Sequence, residues 1–211
     1  MLSKSSSKFP GPAGLCLAVT LGLLPAIAQA QNADLAGINY PPNLKVEGTP
    51  LVLNGSGISY RAVAKVYTLG LYLPSKAKTT EAVLTLKGPK QLRFVMLQGT
   101  RIDELGKLIT TGVETNSSRP QFFGLIPAIS TMGAQFSHIK RLVPGDVFTI
   151  EWVPERGTIF FVNGQPAGLP IQDPEFFNAI LRTWLGKTPP SQGLKDALLD
   201  FKPPPVLNAL D

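Results

Sequence analysis

The sequence holds a single cysteine, Cys16, and a single histidine, His138, among 211 residues. Zinc and other thiolate or imidazole centres need several such ligands at defined spacings, so no metal and no other cofactor is expected. Ser-His-Asp chemistry lacks its setting too. No G-x-S-x-G elbow occurs, and His138 falls within a helical pattern. Charged residues make up only 16% of the chain, and the net +6 comes from scattered cations such as Lys76, Lys78, Lys87, Lys90 and the pair Lys140-Arg141. A nucleic-acid surface would gather them into a stripe, so nucleic acid is not an expected partner. Long apolar runs are missing as well: none reaches the roughly 20 residues of a membrane span.

What is present at the start reads as an export signal. Lys4 and Lys8 precede a short apolar run from Leu15 to Ile27, and Ala28-Gln29-Ala30 supplies small residues before a cleavage point at Gln31. Residues 1–30 are therefore expected to be a cleaved signal peptide, and the protein to be periplasmic or secreted with no membrane span after cleavage. Leu15 before Cys16 argues against lipidation. Removing Lys4 and Lys8 lowers the net charge from +6 to +4 and leaves no cysteine. The remaining chain, about 180 residues, is long enough to rely on one core without disulfides.

Residues 31–40 read as a loose leader, 41–200 as a single domain, and 201–211 as a Pro-rich tail. Leu44–Glu47 and Leu51–Leu53 are short strand candidates around a turn at Gly48-Thr49-Pro50. Gly55-Ser56-Gly57 reads as a tight turn into one long strand, Ile58 to Leu73. Gly70 within it marks a bulge or a close backbone approach. Thr79 or Thr80 caps a short helix ended by Lys87-Gly88-Pro89. Gln91–Gln98 alternates as a strand, with Arg93 on the face opposite Leu92 and Phe94. Ile102, Leu105, Leu108, Ile109 and Val113 then trace a helical stripe, and Phe122–Ile139 a second helix with Pro127 as a candidate break. Val147–Val153 and Thr158–Val162 are strands, and Asn163-Gly164 is a strong hairpin signal. Asp173 caps a helix that starts at Pro174 and stops at Gly186. A last helix spans Gly193–Leu199. This order predicts an α+β domain, an antiparallel sheet covered by a layer of helices. Asn54-Gly55-Ser56 and Asn116-Ser117-Ser118 match the glycosylation sequon, a pattern common by chance.

N-G-S-G-I at 54–58 with K-V-Y-T-L-G-L-Y-L at 65–73 resembles the chalcone isomerase-like domain, in particular its exported bacterial branch. F-F-N-A-I-L-R-T-W-L-G-K-T-P-P at 176–190, behind the Asn163-Gly164 hairpin, and L-K-D-A-L-L at 194–199 are similar to it too. The resemblance covers roughly residues 37–200 and implies an open-faced β-sandwich. It also implies two uses of one cleft: intramolecular closure of a chalcone in the plant enzymes, and fatty-acid binding in non-catalytic relatives. The enzymes' arginine, directly after Gly-x-Gly-aliphatic, falls on Ser59, with Arg61 two residues on. Their threonine falls on Tyr67, and their tyrosine near Ile102.

With the cation and the proton-handling hydroxyl displaced, isomerase chemistry is not expected. The leading expectation is a non-catalytic protein holding an apolar or amphipathic small molecule, such as a fatty acid, between sheet and helices. Ser59, Arg61, Tyr67, Arg93 and Trp184 are the candidate ligand-binding residues, with Phe94, Phe122, Phe123 and Phe136 as further apolar lining. The alternatives are an isomerase acting on a flavonoid-like unsaturated carbonyl, and a cell-envelope scaffold without a pocket.

Overall fold

The computed structural model describes Met1 and residues 33–201; the expected signal segment beyond Met1, and the tail beyond Phe201, lie outside the described residues. The first half of the chain is β1 (Ala33–Leu35), β2 (Ile38–Tyr40), β3 (Asn43–Val46), β4 (Thr49–Arg61), β5 (Ala64–Leu73), α1 (Thr80–Thr85), β6 (Lys90–Met96) and β7 (Thr100–Arg101). The second half is α2 (Ile102–Thr115), α3 (Arg119–Phe136), β8 (Arg141–Leu142), β9 (Val147–Val153), β10 (Gly157–Val162), β11 (Gln165–Pro166), α4 (Pro174–Leu185) and α5 (Gln192–Leu198). Seven strands form one antiparallel sheet in the order β11-β10-β9-β6-β5-β4-β3.

The period-two alternation of β5 sorts the two faces of this sheet. Tyr67, Leu69, Leu71 and Leu73 join Leu92, Phe94, Phe148 and Ile150 in a core that Ile109 and Val113 of α2 and Phe176, Ile180 and Trp184 of α4 close from above. Thr68, Gly70 and Tyr72 point the other way. That face carries a second, smaller core around Tyr40, Tyr72, Val95 and Ile159 with no helix residue in it. The expected α+β class, a sheet with helices on one face, is the architecture observed.

Several expectations are corrected here. The single strand from Ile58 to Leu73 is two strands, folded back at Ala62-Val63 so that Ser59 lies opposite Tyr67 and Arg61 opposite Ala64. Ala62 takes a left-handed backbone (φ 54°), and Val63 is 95% exposed. Neither residue is a usual turn former, so the fold-back left no compositional mark. The leader is not loose over residues 33–40: β1 and β2 pair as a hairpin, and the ring of Tyr40 lies flat over Gly70. A β-carbon added at Gly70 would sit 2.5 Å from that ring, so Gly70 is the close approach and not a bulge. The Tyr40 hydroxyl shares a 2.8 Å hydrogen bond with Thr68.

Gly55-Ser56-Gly57 is not a turn either. It lies inside β4, where α5 rests on bare backbone. Added β-carbons would come within 2.1 Å of the Ala197 carbonyl at Gly55 and 2.7 Å of Leu194 at Gly57. Buried Asn54 fixes the same junction, donating to the carbonyls of Ala77 (2.9 Å) and Leu198 (2.7 Å) and accepting from the Ala77 amide. The asparagine of the first sequon is therefore an internal fastener. α3 runs through Pro127 without a break. Pro127 is on the solvent side, where the carbonyl it deprives of a helical partner can be hydrated.

Candidate functional site

The fold brings four of the five candidate residues together. Ser59 and Tyr67 are cross-strand partners, and with Arg61 they edge a recess of about 150 Å³ that Glu104, Leu105 and Leu108 of α2 close from the helix side. Trp184 reaches this group from below, its indole N–H donating to the Tyr67 oxygen at 3.0 Å. Phe94 packs against both rings, 5.3 Å from Tyr67 and 5.2 Å from Trp184 between centroids. The sheet–helix cleft in which a ligand was expected is thus occupied by the protein's own side chains. Burial pushes the Tyr67 phenol above its ordinary pKa, and hydrogen bonding with Ser59 and Trp184 offsets this only in part. At neutral pH Tyr67 is a neutral, engaged hydroxyl.

Arg93 is corrected as a pocket residue, and Arg61 borders the recess with its charge already paired. Arg61 is exposed and spends its guanidinium on Glu104 at 3.0 Å, tying the β4–β5 turn to α2. Arg93 lies on the opposite face of the sheet, because it alternates with Leu92 and Phe94. Its neighbours there are Tyr40 and Tyr72, whose phenols it draws down against the larger upward push of burial. Of the expected aromatic lining, Phe94 and Trp184 are core, while Phe122 and Phe123 are on the first turns of α3. Phe136 borders a cleft.

That cleft measures about 690 Å³ and lies between the first half of α2 and the second half of α3. Ile102, Ile129, Met132, Phe136 and Ile139 give it apolar walls, and Gly106 and Gly133 leave it wide. An added β-carbon at Gly133 would meet nothing within 4 Å. Phe136, at its inner end, stacks edge-on against Phe148 and Phe160 of the sheet, 5.7 and 5.1 Å away. Two cations stand at the mouth. Arg101 is held bidentately by Asp103 at 2.9 and 2.8 Å. Lys140 makes no ion pair among the described residues. Ile102, where the resemblance places a tyrosine, is buried and contributes a wall without a hydroxyl. The sequence reading missed this cleft. The available signal was two glycines inside helical stripes, which opposed the helix propensity of their segments without capping anything.

Among the described residues no group of three His, Cys, Asp or Glu side chains is placed to hold a metal ion. No helix there is long and apolar enough to cross a membrane. The arrangement can enclose an apolar chain and meet an anionic or polar end with an ammonium group.

One curved antiparallel sheet, one covering layer of helices and a cavity set beside that sheet define an open-faced α+β sandwich. The chain belongs to the chalcone isomerase-like family, whose model matches residues 32–200. Its fold is shared with a solved structure, a fatty-acid binding protein of Arabidopsis thaliana, at a TM-score of 0.65 and 12% identity. The alignment covers 81% of this chain and 96% of that one. Comparison with curated protein sequences gives no significant match.

Proposed function

We propose that this protein is a non-catalytic member of its family that binds an apolar or amphipathic small molecule, such as a fatty acid, in the cleft between α2 and α3. The observation that carries this reading is the cleft itself: about 690 Å³, apolar along its walls, with the unpaired Lys140 at its mouth. The volume is within the usual range for small-molecule sites, and a few polar groups on an apolar lining is their usual make-up. The fatty-acid binding activity named for the Arabidopsis structure supports the same class of ligand. The isomerase alternative has little to work with. Ser59 stands at the cation's position, Arg61 is committed to Glu104, and Tyr67 is committed to Trp184. An exported location rests on the signal pattern of residues 1–30 and fits a core built without cysteine.

The test is a titration of delipidated protein with a fluorescent fatty acid, followed by displacement with dodecanoate. Saturable one-to-one binding is expected, and Gly133→Leu, whose β-carbon would meet nothing within 4 Å and whose side chain would project into the cleft, should weaken it while the protein stays folded. Absence of saturable binding by the unmodified protein overturns the reading. Cyclisation of a chalcone above its spontaneous rate would return the isomerase reading to first place.

A further inference from the structure

α3 is apolar on two sides, and only one of them is used. Leu125, Ala128, Met132 and Phe136 are buried. On the other side, at helical spacing, Phe123 is 53% and Ile126 45% exposed, with exposed Pro127, Ser130 and Ala134 completing the stripe. Leu169, 81% exposed, is held beside this helix because Gln135 donates to its carbonyl at 2.8 Å. A helix with apolar residues on both faces is usually enclosed by protein or lies at a lipid boundary.

Charge decides between these occupants. No aspartate or glutamate occurs between Glu114 and Asp146, while Arg119 precedes the helix body and Lys140-Arg141 follow it. None of these three cations makes an ion pair among the described residues. The Arg119 guanidinium lies 5.6 Å above the Phe123 ring, so cation and apolar group are presented together. The carboxylates that border α3 across a groove are already engaged. Asp173 caps α4 through the amides of Glu175 and Phe176, and Glu175 lies 3.9 Å from Arg182. An apolar centre with cations at both ends and no acid within the helix itself matches the boundary between anionic headgroups and acyl chains.

We infer that the outward face of α3 is a docking surface for an anionic lipid bilayer, with Phe123, Ile126 and Leu169 entering the headgroup region, Arg119 resting on its charge beside Phe123, and Lys140 adding positive charge at the cleft mouth. The helix lies on the membrane and does not cross it. α3 and the residues after it also line the cleft, through Ile129, Met132, Gly133 and Lys140. Docking therefore brings the cleft to the surface where an amphipathic ligand would be collected. That last link rests on the ligand-binding reading; the docking itself does not.

Sedimentation with vesicles separates the two. The protein should bind vesicles of equal parts phosphatidylglycerol and phosphatidylcholine, and about tenfold less to phosphatidylcholine alone or at high salt. Phe123→Ser with Ile126→Ser should lower binding about tenfold while helix content and fatty-acid titration in solution stay unchanged. Gly133→Leu should weaken fatty-acid binding and leave vesicle binding unchanged. Equal binding to both kinds of vesicle, or vesicle binding by the double variant equal to that of the unmodified protein, overturns the inference. So does self-association in analytical ultracentrifugation that the double variant abolishes, since the face would then belong to a second copy of the chain.

Discussion

The indole N–H of Trp184 donates to the phenol oxygen of Tyr67 across 3.0 Å, joining α4 to β5 inside the core. Both groups are almost fully buried, and the phenol oxygen is what satisfies the indole donor. Tyr67→Phe should leave the indole donor without a partner and cost about 1–3 kcal/mol. Urea denaturation monitored by tryptophan fluorescence measures this. Fatty-acid affinity should not change. A loss of affinity in this variant would move the ligand to the recess beside Ser59.

Lys140 is expected to serve the head of the ligand rather than its chain. Lys140→Ala should weaken binding of dodecanoate by about tenfold, as for one charge-assisted contact. Binding of dodecanol, which has no charge to lose, should change little. Equal losses for both ligands would assign Lys140 to the wall of the cleft.

Gly70 and Tyr40 are in direct contact, and the sheet has no slack there. Gly70→Ala should displace the Tyr40 ring, disturb its bond to Thr68 and destabilise the domain by about 1–3 kcal/mol, as overpacking does. Faster hydrogen exchange confined to residues 33–40 and their contacts would identify the cause. Ligand binding on the far face of the sheet should survive.

Lys90 is 3% exposed and, among the described residues, has only the Leu84 carbonyl as partner, at 3.2 Å. Burial lowers its pKa from the ordinary 10.5 to about 8. Below pH 8 the folded protein bears the full cost of burying an ammonium group. Between about 8 and 10.5 the unfolded chain holds a proton that the folded one has released, so stability should rise with pH. Tyr40 acts in the opposite sense. Burial pushes its phenol up to about 12, so from about pH 10 the unfolded chain ionises first and stability falls. Urea midpoints should therefore peak near pH 10. Lys90→Met should raise the unfolding free energy at pH 7 by about 1–3 kcal/mol and remove the rising limb. A flat profile in the unmodified protein would mean that water reaches the amine.

The parts of this fold written in strong local signals were legible. Asp173-Pro174 and Gly186 bracket α4 as expected, Asn163-Gly164 turns β10 into β11, and β9 begins and ends at the residues its alternation marks. The fold-back at Ala62-Val63 was not legible, because a two-residue turn made of alanine and valine is imposed by the pairing of its flanking strands. Gly55 and Gly57 were visible as glycines but not as neighbours of α5, more than a hundred residues away. The candidate site was half legible. Ser59, Arg61, Tyr67 and Trp184 do converge, yet whether a convergence of large side chains is a cavity or a filled core depends on packing that no pattern of types records. The open space lies instead where Gly106 and Gly133 withhold side chains from facing helices.

The hairpin of residues 33–40 sets a limit on the size of the domain. Tyr40 is the roof over Gly70 and the partner of Thr68, and β1 holds Tyr40 in place through β2. A chain begun at Asn43, the first residue of the seven-stranded sheet, would keep every strand of that sheet and still bare its central backbone to water. The smallest unit that can stand alone therefore starts ahead of the sheet it contains. Any processing event upstream has to leave those eight residues attached.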